Sequence, residues 1–180
     1  LFGLEKTLKK WQIPDNLFKK HKELTREYIN IKSLSTRAKN RIHAKEHAYK
    51  PTAETLKRIK EQLNLYNKQL KEIQNEIEEL IKQNTDLYNK INNIQKIEGV
   101  GLMTIVTIIA ETNGFELIEN AKQLTSYAGI DVVHNQSGYS TGKTRISKKG
   151  NGYLRRALYM PALSAAKHNE KLKQIYTRLV

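Results

Sequence analysis

The chain has 180 residues, with Lys+Arg 32 against Asp+Glu 18 and a formal net charge of +14 at pH 7. That length holds one globular domain with an extension, or two small domains. The cationic excess favours a polyanionic partner, because each phosphate neutralised releases condensed counterions. Cysteine is absent, which excludes disulfides and Cys-ligated zinc and fits a reducing compartment. No apolar run reaches the ~18 residues of a membrane span. Leu1-Phe2-Gly3 does not read as the start of a signal peptide, and with no initiator Met the chain is expected to be part of a longer protein.

Gly3 is the one glycine before residue 99. The first stretch, 1–96, therefore reads as helix: a linker and an antiparallel coiled-coil hairpin that serves assembly. Pro51 is the expected break between its two arms. After it, one seam position holds Leu56, Leu63, Leu70, Ile77, Asn84 and Ile91, and the other holds Ile59, Tyr66, Ile73, Leu80, Leu87 and Ile94. Alternating steps of three and four over this length predict a continuous coiled coil. Before Pro51 a weaker repeat runs Leu17, Leu24, Ile31 and Ala38. A stripe left uncovered by this shorter arm predicts a homodimer or higher homo-oligomer. Asn84 has two readings, a register-fixing polar pair in a subunit seam or part of a frayed stretch; in the first, Asn84→Leu should stabilise. Arg26, Lys32, Arg37, Lys39, Arg41 and Lys45 make a basic face, expected to be solvated.

The second stretch, 97–180, reads as a small helical domain. Helices are expected over about 101–111, 120–128, 150–167 and 170–179, with a strand-like segment at 130–133 and a basic loop after it. The apolar residues of helix 101–111, with Ala121, Leu124, Ala128, Leu154, Leu158, Leu163 and Ala166, are the expected core. The fold class is mainly all-α.

Ile97-Glu98-Gly99-Val100-Gly101 before an apolar helix has the helix-hairpin-helix pattern. Gly99 and Gly101 permit a tight turn and close approach of a phosphate to the next helix start. Such a clamp positions a strand without reading sequence. From His134 to Arg156 the chain has Lys143, Arg145, Lys148, Lys149, Arg155 and Arg156 and no acid. Its glycines let the backbone lie close to a strand, and Tyr139 and Tyr153 are suited to stack on bases. Ser137 and Ser140 are candidate nucleophiles toward a phosphodiester, with these cations offsetting transition-state charge. Glu111, Glu116, Glu119 and Asp131 are scattered and read as surface or capping residues. His43 and His47, one helical turn apart, lack a third ligand, so no metal site is expected.

Residues 97–101, Gln123-Leu124-Thr125-Ser126-Tyr127-Ala128-Gly129-Ile130, Asn135-Gln136-Ser137-Gly138 and Arg145-Ile146-Ser147-Lys148-Lys149-Gly150-Asn151-Gly152-Tyr153-Leu154-Arg155-Arg156-Ala157-Leu158 follow in this order. Together they resemble the C-terminal domain of bacterial insertion-sequence transposases of the insertion-sequence-110 (110/116/902) type. Upstream, Leu24–Tyr28 through Lys39–Ala44 resembles the segment leading from that family's RuvC-like domain into its coiled coil. The resemblance implies cytoplasmic, nucleoid-associated DNA recombinases, some guided by a bridge RNA, that move a mobile element by strand cleavage and exchange. It implies that Ser137, from its place in Asn-Gln-Ser-Gly, is the nucleophile, with Ser140 in reserve, and that the Arg145–Arg156 block binds DNA and guide RNA. The family's four DEDD acids, which bind Mg²⁺, would precede Leu1; this chain needs no cofactor of its own and is expected to be inactive without them. The alternative is a non-catalytic DNA-binding and dimerisation module.

Overall fold

The computed structural model describes residues 15–50, 52–97, 99–116, 118–134, 136–137 and 139–179, with the backbone alone at 136, 137, 140 and 141. Pro51, Glu98, Asn135 and Gly138, which figure in the expectations above, lie outside the described residues. The fold is mainly helical, as expected. Helices α1 (Asn16–Glu46), α2 (Ala53–Lys82), α3 (Thr85–Gln95), α4 (Leu102–Glu111) and α5 (Ala121–Ala128) precede four two-residue strands. These are β1 (Val132–Val133), β2 (Gln136–Ser137), β3 (Ser140–Thr141) and β4 (Arg145–Ile146), followed by α6 (Gly152–His168) and α7 (Glu170–Leu179).

Helix α1 starts at Asp15, whose carboxylate accepts from the Leu17 amide at 3.0 Å. It runs antiparallel to α2, as the order of cross-helix contacts shows: Lys20 meets Glu76 at 3.1 Å, Ser35 donates to Asn67 at 3.4 Å, and Glu46 meets Lys60 at 3.0 Å. Ile59, Leu70, Ile77 and Leu80 of the expected seam are buried on α2. Opposite them α1 buries His21, Thr25, Ile31, Ser35 and Ala38, all but Ile31 small or polar, at helical spacing. That composition explains why its apolar repeat is weak in the sequence.

The second arm is not continuous. It stops at Lys82 and restarts at Thr85, with Asn84 in extended backbone (φ −117°, ψ 103°) and its side-chain oxygen accepting from the Leu87 amide at 2.9 Å. Asn84 is the N-cap of α3 and not a core residue of an unbroken helix, which corrects the subunit-seam reading. The heptad had carried on through the break because Leu87 and Ile91 remain buried beyond it. Asn84→Leu should therefore destabilise the chain by about 1 kcal/mol, the usual cost of losing an Asn cap. A thermal melt reads this directly, and a raised melting temperature would restore the seam reading.

The break lets α3 fold back so that α4 lies among α1, α2 and α3. Ile77, Ile81, Leu87, Ile91, Ile105, Val106 and Ile109 form one buried cluster, flanked by Leu17, Phe18, Leu24 and Ile73. Helix α4 is apolar on every side, as a central helix must be. Its buried Thr107 satisfies its hydroxyl on the Met103 carbonyl at 2.6 Å. The expected core is thus half right: Ala128 and Leu154 are buried and α4 packs on α6, but Leu163 is exposed and α4 packs on the hairpin as well. No described helix is long and apolar enough to cross a membrane.

Candidate nucleic-acid interface

The segment expected as an irregular basic loop is a paired ribbon. β1 and β4 are antiparallel with Val132 opposite Ile146 and Val133 opposite Arg145. Inside them β2 and β3 pair, with Gln136 opposite Thr141 and Ser137 opposite Ser140. The two candidate serines are therefore cross-strand neighbours at one level of the ribbon. Tyr139, between β2 and β3, is fully exposed, and Lys143, Arg145, Lys148 and Lys149 are exposed as well.

The base of the ribbon is anchored to the end of α5. Gly129 closes that helix with left-handed backbone (φ 66°), so that its amide and that of Ile130 return to Ser126 and Thr125 carbonyls at 2.9 and 3.1 Å. Asp131, read from sequence as a surface acid, holds Ser147 twice: carboxylate to hydroxyl at 2.6 Å and carbonyl to amide at 2.9 Å. Lys148 N donates to Gly129 O at 2.9 Å, and Asn151 N donates to Tyr127 O at 2.7 Å. Gly150 is pressed against this turn: a Cβ there would lie 2.5 Å from Tyr127 O and 2.7 Å from Gly129 N.

Asn151 then caps α6, accepting from the Tyr153 and Leu154 amides at 3.0 and 3.1 Å. Its amide group donates to Glu111 Oε2 at 2.7 Å. Glu111 is only 2% exposed, so the surface reading of this acid is wrong. Arg26 donates to it through Nε at 2.7 Å and Nη2 at 3.0 Å, and Lys22 Nζ lies 3.6 Å away. Tyr127 Oη donates to the Glu111 carbonyl at 3.1 Å. One carboxylate thus joins α1, α4 and the start of α6, next to α5. Burial, the largest single effect on Glu111, pushes its carboxyl up; the Arg26 and Asn151 hydrogen bonds and the Lys22 charge outweigh it and hold it below the usual range. Arg26, read from sequence as part of a solvated face, in turn covers the Tyr153 ring at 4.5 Å from its centroid.

The other sequence candidates are spread around this centre. Arg156 is exposed, whereas Arg155 is half-buried and donates to the Ala128 carbonyl at 2.7 Å. Gly99 has φ 84° and faces Ser164 of α6, close enough that a Cβ would collide with that side chain. Gly101 has no atom within 4 Å of a built Cβ, and as the N-cap of α4 it brings no side-chain acceptor to that helix start. Of the two glycines in the turn, Gly101 is the one open to a ligand. His43 and His47 stack at 4.3 Å, and no group of three or more His, Asp or Glu suited to a metal occurs among the described residues.

Comparison with known proteins locates this arrangement. The pilin gene-inverting proteins of Moraxella bovis and Moraxella lacunata are each 32% identical to the chain over 93 residues. That match takes in 51% of the chain and 29% of each relative, so the chain spans less than a third of their length. The family model described as transposase IS116/IS110/IS902 covers residues 91–177, from the end of α3 through the ribbon to α7. Over those residues, a little under half of its length, the chain is similar to the IS116/IS110/IS902 transposase family, and with the two relatives this supports a transposase of that type.

Proposed function

We propose that this chain is the DNA-holding and serine-nucleophile part of a recombinase that cuts and rejoins the ends of a mobile element. The observation that carries the reading is the acid-free basic ribbon of 132–146, with Lys143 and Arg145 exposed, rooted beside the buried Glu111 carboxylate and its Arg26 partner. A rigid root fixes where the cations point, which is what electrostatic stabilisation of a transferring phosphoryl group requires. Lys143, Arg145, Lys148, Lys149 and Arg156 contact phosphates; Arg155 lines one cleft with Arg156 and shares its charge with the Ala128 carbonyl. The open start of α4 at Gly101 adds a sequence-blind phosphate contact.

In the chemical step the Ser137 hydroxyl oxygen attacks a phosphodiester phosphorus. A serine phosphodiester forms, one strand P–O bond breaks, and the released end leaves as a hydroxyl carrying the proton that serine gives up. The bond energy is conserved, so the attack of another strand's hydroxyl reverses the step and completes exchange. Acidic residues and Mg²⁺ that assist it would come from the remainder of the whole protein, while any guide RNA would lie on the Arg145–Arg156 block together with the DNA; the α1–α2 hairpin pairs copies of the protein.

The test is covalent trapping. The full-length protein, incubated with element-end DNA and Mg²⁺, should yield a protein–DNA adduct that disappears in Ser137→Ala and persists in Ser140→Ala. Loss in Ser140→Ala alone would move the nucleophile across the ribbon. An active protein that never forms an adduct would reduce the chain to a non-catalytic DNA-binding module.

A further inference from the structure

Two open clefts flank the first turn of α6. The first, about 840 Å³, is lined by Arg26, Tyr127, Lys149, Asn151 and Tyr153, together with residues of α5. The second, about 660 Å³, is lined by Gly152, Tyr153, Arg155, Arg156, Tyr159 and Met160. Both volumes fall in the range of pockets that seat small organic groups, roughly 300–1,000 Å³. Gly152 and Tyr153 belong to both, so the clefts adjoin with the Tyr153 side chain as their common wall.

We propose that the two clefts form one track for an unpaired DNA strand, with Tyr153 standing between successive bases. This rests on the DNA-binding reading above and narrows it to the form of DNA held at this face. Four cations, Arg26, Lys149, Arg155 and Arg156, line the track and no acid is among its lining residues; the Glu111 carboxylate beneath Arg26 is buried and already paired. Cations alone would suit a duplex backbone. The rings of Tyr127, Tyr153 and Tyr159 would not, because bases in a duplex are stacked on one another and offer no free face to a side chain. Alternating cations and aromatic rings are the pattern that holds unpaired strands.

The wall is also fixed in advance. Arg26 lies over one face of Tyr153 and is itself clamped by two hydrogen bonds to Glu111. The ring is therefore held in place before a strand arrives, the residue is exposed to solvent, and little side-chain entropy is lost on stacking a base against it. Arg26 comes from α1, far outside the ribbon, so the hairpin contributes directly to the DNA-binding face.

The experiment measures the binding of labelled oligothymidylate and of a duplex of equal length to the 180-residue chain and to its Tyr153→Ser and Tyr153→Phe variants. Tyr153→Ser should weaken oligothymidylate binding about tenfold, the scale of one lost base–ring stack, and leave duplex binding unchanged. Tyr153→Phe keeps the ring and should bind like the parent. A 5-iodouracil oligonucleotide photo-crosslinked to the unaltered chain should attach at Tyr153, which tests the proposal even if a variant misfolds. Equal losses on both ligands, or crosslinks confined to other residues, would overturn the track and leave the DNA-binding reading standing. An oligouridylate bound more tightly than oligothymidylate would overturn the assignment to DNA. No binding of either strand form by the parent chain would overturn both.

Discussion

Arg26→Ala should destabilise the chain by about 2–3 kcal/mol at neutral pH, and the loss should shrink in acid. Removing one partner of an ion pair buried on both sides costs up to about 3–5 kcal/mol; here Glu111 is fully buried but the Arg26 side chain is 42% exposed, so solvent screens the pair and the loss is smaller. The lower end applies here because Lys22 at 3.6 Å and Asn151 at 2.7 Å still serve the Glu111 carboxylate. In the parent chain Glu111 is held below its ordinary value of 4.5, so the stability it confers is complete above that value and is lost as pH falls through its folded value. Without Arg26, burial gains on the remaining partners and raises the carboxyl, and protonation then relieves the strain of an under-paired charge. The gap between parent and variant is thus widest at neutral pH and closes well below 4.5. His21, whose burial lowers it from 6.5, adds a second acid-labile contribution, lost as pH falls from 6.5 toward its folded value. It is present in both proteins and cancels from the difference. Urea unfolding at neutral and acid pH measures the gap; a gap independent of pH would mean that Arg26 acts through packing on Tyr153 and not through its charge.

The same centre shows where sequence reading stops. The helices were legible because their apolar residues recur at helical spacing; the caps at Asp15, Asn120 and Asn151 emerge only from the structure. The break at Asn84 was not, since Leu87 and Ile91 keep the heptad in phase across it; local capping chemistry outweighed periodicity there. The first strand of the ribbon was legible in the strand-like 130–133 segment, but β2, β3 and β4 are two residues each, too short for an alternating pattern to register. Glu111 was missed because an acid closing an apolar helix looks like a terminus. One signal was present: it continues the side of α4 that carries Thr107, one turn earlier and also buried. An acid on a buried stripe demands a cation, but Arg26 lies 85 residues away in the chain, and no local pattern joins them. The cationic residues of the interface were legible individually; that Arg26 and Tyr153 share a face with Lys149 follows from tertiary packing alone.

Gly150→Ala should do to the ribbon what Arg26→Ala does to the ion pair, and by a purely steric route. The added Cβ would sit 2.5 Å from Tyr127 O, 2.7 Å from Gly129 N and 3.1 Å from the Ala128 carbonyl carbon. All three are backbone atoms, so no side chain can rotate away and the 147–151 segment itself must move off the end of α5. That movement stretches the Lys148–Gly129 and Asn151–Tyr127 backbone bonds, now 2.9 and 2.7 Å, and draws Asn151 away from Glu111. A cost of about 2–3 kcal/mol is expected, the upper part of the range for overpacking at a site that cannot yield. DNA affinity should fall too, because the ribbon's cations swing with its base. Gly152→Ala is the contrast: the nearest atom to its Cβ is the Arg155 side chain at 3.6 Å, an ordinary contact, and the residue is the first of α6. Alanine there restricts the unfolded chain and should leave stability equal or raise it by up to about 1 kcal/mol. If thermal melts show the two variants alike, the close approach at Gly150 does not anchor the ribbon. If Gly150→Ala loses stability but binds DNA as before, the cations find the strand without a fixed root, and the case for a preorganised phosphate site fails with it.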